Sequence, residues 1–139
     1  MTIFNKSKNE NKELAAKYVF SFLSETSGSE IVKGVETGCG KRMTFGVQNC
    51  ILGLVHVTCT SVENPSSNIR GWKPNDLERC TEIDHLAFVW ADKEDRVLVF
   101  ILERLSAVKL AKQGNGSYSK NDIRTKAIKS KAYLPGTTL

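Results

Sequence analysis

No run of apolar residues in this 139-residue chain approaches the roughly 18 that a membrane-spanning helix requires, which argues against an integral helical membrane protein. Proline is scarce at 3 residues and glycine ordinary at 10, so collagen-like and proline-rich low-complexity architectures are excluded. No internal repeat is present. Cysteine is confined to Cys39, Cys50, Cys59 and Cys80, at spacings of 11, 9 and 21 with no CxxC pair. In a chain without an export signal these are expected to be reduced thiols acting as small buried hydrophobes. A zinc site combining them with His56 and His85 conflicts with strand geometry, because residues 56 and 59 of one strand face opposite ways. The first dozen residues are polar and offer no apolar core of a secretory signal, which predicts a cytoplasmic protein.

What is present is average globular composition, with 40% hydrophobic and 25% charged residues, and a length suited to one domain with one real core. The net charge of +5 is unevenly spread. Ser106 to Leu139 carries seven cations against one anion, a net +6, while the remainder nets −1. A near-neutral body with a basic end is the asymmetry of a chain that meets a polyanion, or of one kept soluble by a polar tail.

Apolar residues recur at helical spacing from Leu14 to Leu23, predicting a helix over residues 9–23 that ends near Gly28. Strands are expected at 30–37, 42–47 and 50–59. The segments 85–91 and 96–102 form a hairpin across Asp92-Lys93-Glu94-Asp95. The last three strands are apolar on both faces, which places them in the middle of a sheet covered by helices. A long polar excursion separates Thr60 from Thr81, and excursions of that length tend to be functional. A basic helix is predicted over 121–131, stopped by Pro135-Gly136. The expected architecture is α/β (α+β): a mixed central sheet with the first helix packed on it, a core over 1–112 and a basic tail over 113–139.

Gly38-Cys39-Gly40-Lys41-Arg42 has the look of a phosphate loop but lacks its spacing and its helix, leaving a glycine-rich hairpin with basic flanks. Arg70, Trp72 and Lys73 combine cations with an aromatic ring, a set suited to gripping phosphate and stacking on bases.

The order helix, three strands, hairpin resembles the PD-(D/E)XK endonucleases, in particular the branch encoded within group I introns. The opening helix NKELAAKYVFSFL carries Glu13 where such proteins carry a glutamate, and IDHLAFV with RVLVFILERL is similar to their hairpin. The resemblance implies a restriction-endonuclease-like core, a metal-binding aspartate on the second strand and an E/Q-x-K triplet on the third. The sequence departs at both: Thr44 and Gly46 stand where the aspartate falls, and His56-Val57-Thr58 replaces the triplet. Metal-assisted phosphodiester cleavage needs hard oxygen ligands and a cation near the attacking water, and threonine supplies neither a charge nor a basic nitrogen.

The expected function is therefore a nucleic-acid-associated protein with a nuclease-like, catalytically degenerate fold. It would bind DNA, ahead of RNA, or a protein that processes nucleic acid, with no membrane partner and with homodimerisation left open. One alternative is a divalent-metal-dependent DNA endonuclease with a rearranged site, using Glu13, His56 and Asp84, with Mg²⁺ as its only cofactor. A second is a small inhibitor or immunity-type protein of a phage or mobile element. The nucleic-acid contacts expected are Lys41, Arg42, Arg70, Trp72 and Lys73, with Lys120, Arg124, Lys126, Lys129 and Lys131 of the tail.

Overall fold

Ser7 begins the first helix as its cap: its hydroxyl oxygen accepts from the Glu10 N–H and itself donates to the Glu10 carboxylate at 2.8 Å. Helix α1 then runs Lys8–Leu23, burying Ala15, Ala16, Tyr18, Val19 and Leu23 on one side. A computed structural model describes residues 3–60 and 68–139. After α1 come β1 (Ser29–Glu36), β2 (Arg42–Asn49) and β3 (Gly53–Cys59), a meander of antiparallel neighbours. The β2–β3 connection is set by Asn49, whose side-chain oxygen accepts from the Ile51 and Leu52 amides at 3.0 and 2.8 Å. That turn delays the start of β3 to Gly53, three residues later than the apolar run suggested.

The excursion is partly structured, and its first part, 61–67, lies outside the described residues. The rest supplies β4 (Ile69–Arg70) and a short helix α2 (Pro74–Arg79) before β5 (His85–Ala91). Strand β5 pairs parallel with β3 and antiparallel with β6 (Val97–Glu103), as a hairpin. The hairpin turn is organised by Asp92, whose carboxylate accepts from the Glu94 and Arg96 amides and from the Arg96 guanidinium.

Three further elements follow: α3 (Arg104–Gly114), β7 (Ser117–Tyr118) and α4 (Lys120–Lys126), with β8 (Lys129–Tyr133) ending the fold. The main sheet has the order β1-β2-β3-β5-β6-β8, and β4 pairs with β7 in a separate two-stranded ribbon. The result is one α+β domain around a mixed six-stranded sheet, with the predicted strands central and adjacent.

Two cores sandwich that sheet. On one face α1 packs with Phe45, Val47, Val55, Val57, Val89 and Val99. On the other, Leu86, Phe88, Trp90 and Leu102 meet Leu77 of α2, Ala107 and Ala111 of α3, and Ile123 of α4. Alternation along β3 and β5 explains why both strands read as apolar on both sides.

Two expectations are corrected. Residues 113–139 do not form a tail outside the core: β8 is a strand of the main sheet, and the helix expected over 121–131 ends at Lys126. The physical reason is the free edge of β6, which β8 covers with a register from Val97↔Tyr133 to Ile101↔Lys129. Nor are all four cysteines reduced: Cys39 and Cys80 are disulfide-bonded across a Cα–Cα separation of 5.3 Å, leaving Cys50 and Cys59 as free thiols. That bond and the acceptance of the Gly38 amide by Glu82 tie the β1–β2 turn to the segment before β5.

Candidate functional site

Strand β2 stays with β1 over its whole length but with β3 only from Gly46↔His56 to Asn49↔Gly53. Past His56, the last three residues of β3 have β5 as their only strand neighbour among the described residues. The carboxyl ends of the parallel pair β3 and β5 therefore lie beside a gap, the position where open α/β sheets receive ligands. A cavity of about 390 Å³ fills it. Its floor is His56, Val57, Thr58 and Cys59; Lys8 and Lys12 reach it from α1, and Arg70, Gly71 and Trp72 from the ribbon.

Each wall has a local cause. The loop before α1 is held by Asn11, which donates to the carbonyls of Phe4 and Lys6 and accepts from the Lys6 amide. The opposite wall is held by β7: the Gly71 amide donates to the Gly116 carbonyl at 2.9 Å, and the Tyr118 hydroxyl to the Trp72 carbonyl at 3.5 Å. Gly71 must be glycine, because a Cβ there would stand 2.8 Å from the Tyr118 ring.

The electrostatics are one-sided. Three cations line the cavity, and among the described residues it has no carboxylate. Burial, with Lys8 nearby, lowers the Lys12 pKa. Lys8 and Lys12 stand in the first turns of α1, where the helix dipole already presents positive charge. His56 is 7% exposed, and burial, with the Lys12 charge, pushes it down to about 4, so its imidazole is neutral at pH 7. Its Nδ1 has no hydrogen-bond partner among the described residues. Burial pushes the Cys59 thiol up to about 12, which removes it as a thiolate nucleophile.

Of the residues singled out from the sequence, His56, Arg70 and Trp72 come together here. The catalytic trio does not. Asp84 lies at the start of β5, where its carboxylate accepts from the Leu54 amide at 3.0 Å, at the opposite end of β3. Glu13 is half-exposed and pairs with Lys33 at 3.4 Å. No group of three His, Cys, Asp or Glu side chains among the described residues is arranged to hold a metal ion. Gly46, a position where the resemblance implies an acid, has no room for a side chain: a Cβ would stand 2.8 Å from the Val55 carbonyl and 2.9 Å from the Met43 sulfur.

The other expected contacts are dispersed. Lys41 pairs with Asp76 at 3.6 Å, Arg42 reaches Glu36 at 4.0 Å, and Lys73 caps α2 without lining the cavity. Lys120 and Arg124 lie over the Trp90 ring, Lys129 over Phe22, and Lys131 pairs with Glu25, while Lys126 is exposed at the end of α4. Sequence reasoning missed Lys8, Lys12 and Asn68. The signal for the lysines was their spacing: like charges four apart on a helix repel, so an opening turn bearing two of them is unfavourable unless something anionic is met. No helix among the described residues is long and apolar enough to cross a membrane. No protein-family model, curated protein or solved structure matches this chain.

Proposed function

We propose that this protein binds nucleic acid through the cleft where β2 and β3 part, and that it does so without hydrolysing it. The observation that carries the reading is the lining of the cavity by Lys8, Lys12 and Arg70 beside Trp72, with no carboxylate among the described residues. Cations position a phosphate backbone, and an accessible aromatic ring adds a stacking platform. The cleft opens at the carboxyl ends of the parallel strands β3 and β5, a place where α/β sheets commonly receive ligands. Hydrolysis by a divalent metal would need carboxylate ligands there, and the described lining, with Thr58, Gly46 behind it and a neutral His56, supplies none.

Gel shifts on single-stranded and duplex DNA at several salt concentrations, with Mg²⁺, Mn²⁺ or EDTA, test the reading. Binding is expected in EDTA, with log affinity falling linearly in log salt and no cleavage in either metal. Replacing Lys8, Lys12 and Arg70 by Gln should flatten the slope by about two to three, at roughly 0.7–0.9 for each phosphate no longer neutralised. Metal-dependent cleavage that co-purifies with the folded protein, or affinity indifferent to these three residues, would overturn it.

A further inference from the structure

We infer that the cavity seats the phosphorylated end of a single nucleic-acid strand, with the terminal phosphomonoester against Lys8, Lys12 and Arg70 and the first base against Trp72. This rests on the nucleic-acid reading above and adds the form of the occupant. The volume, about 390 Å³, lies at the small-ligand end of binding cavities, enough for one nucleotide and too small for a double helix. A second hollow of about 340 Å³ adjoins it, sharing Lys8, Lys12, Cys59 and Thr60 and adding Lys6 and Asn11. Two adjoining nucleotide-sized hollows make a path for one strand.

The charge count favours an end over a passing backbone. An internal phosphodiester carries a single negative charge, whereas a terminal phosphomonoester carries close to two at pH 7. Three cations converge on one hollow and a fourth, Lys6, lines the next, with no carboxylate among the described residues in either. A phosphomonoester followed by one phosphodiester matches that supply. The like-charge repulsion between Lys8 and Lys12, and their opposition to the α1 dipole, would be relieved by the same dianion.

The remaining lining suits a nucleoside. The Trp72 ring is backed on one side by the neutral, buried His56 imidazole, with 4.4 Å between ring centroids, which fixes it as a platform for a base on the cavity side. Asn68 and Thr58 add neutral donors and acceptors.

Fluorescence anisotropy with internally labelled 12-nucleotide strands bearing a 5′-phosphate, a 3′-phosphate or neither, alongside a blunt duplex, tests this. At least tenfold tighter binding of one phosphorylated strand over the unphosphorylated strand is expected, and the two phosphorylated arms assign its polarity. Lys12→Gln and Arg70→Gln should each bring that preference below threefold, while Lys126→Gln, outside the cavity, leaves it intact. Arg70 is exposed, so its variant serves should Lys12→Gln fail to fold. Equal affinity with and without the phosphate overturns end recognition and leaves nucleic-acid binding standing. Binding of no strand and no duplex overturns both. A mononucleotide competing as well as a strand replaces the strand end by a free nucleotide.

Discussion

The Trp72 indole packs on the His56 imidazole with ring centroids 4.4 Å apart and planes tilted by 35°. The pair joins two parts of the chain with little else in common: a buried strand of the main sheet and the connection that follows β4. It also encloses the imidazole, so the ring that the nuclease resemblance would cast as a base is withdrawn from solvent and uncharged near neutrality.

That withdrawal has a measurable cost in acid. An unfolded chain takes up the His56 proton near pH 6.5, whereas the folded protein does so only at about 4. The contribution to stability is therefore complete above pH 6.5, declines as pH falls, and levels off below 4, amounting to about 3 kcal/mol over the window. Denaturant melts of the wild type and of His56→Leu between pH 7 and 4 should differ by a slope of this sign, with the variant flatter. Parallel curves would show that His56 titrates normally.

Gly53 carries a different constraint. Its φ is +75°, and a Cβ would stand within bonding range of the Asp84 carboxylate that caps the Leu54 amide. Gly53→Ala should destabilise by about 2 kcal/mol or more, from the left-handed backbone alone and from the displaced carboxylate. Asp84→Asn in the same background should recover little, since the backbone term persists; chemical denaturation measures both.

Gly71→Ala separates wall from core. The new methyl would push the β4 side of the ribbon off the Tyr118 ring, which packs on Phe88, while the hydrogen-bonded ladder of the main sheet does not include Gly71. Oligonucleotide affinity should fall at least fivefold, with the melting midpoint lowered by only a few degrees. Unchanged affinity would mean that the wall does not touch ligand.

The cations of residues 120–131 should matter less for binding than the cavity set. Lys131 pairs with Glu25 on the solvent-exposed surface, where such a pair contributes little, and Arg124 stacks over Trp90 and Phe100. Removing Lys126, Lys129 and Lys131 together should change the salt slope by under about one, against two to three for the cavity triple. A larger change would move the interface to the β8 edge.

The central strands were legible because HLAFVWA and RVLVFIL are apolar at nearly every position, a pattern that only a doubly covered strand tolerates. The first helix was legible from its 3.6 periodicity. Strand β8 was not: KSKAY alternates lysine with small residues, which reads equally as a basic helix, and its role as an edge is set by β6 rather than by itself. Helix α3 was missed because Ala107, Val108, Leu110 and Ala111 are a narrow stripe of mostly small residues. At the site, Trp72 and Arg70 stood out as residue types, whereas Lys8 and Lys12 gain meaning only from the divergence of β2 and β3. Nothing in RMTFGVQN announces that divergence.

The pairing of Ile69 and Arg70 with Tyr118 and Ser117 sets an order in time. During synthesis, α1 and the β1–β3 meander can form from roughly the first 60 residues, since their contacts are local in sequence. Arg70 and Trp72 gain their backing only when Gly116 and Tyr118 have emerged, far later in the chain. The cavity wall is thus completed well after the meander, with only α4 and β8 still to follow. A chain that stalls or is clipped before residue 116 would keep a paired meander yet present an open, unwalled cleft.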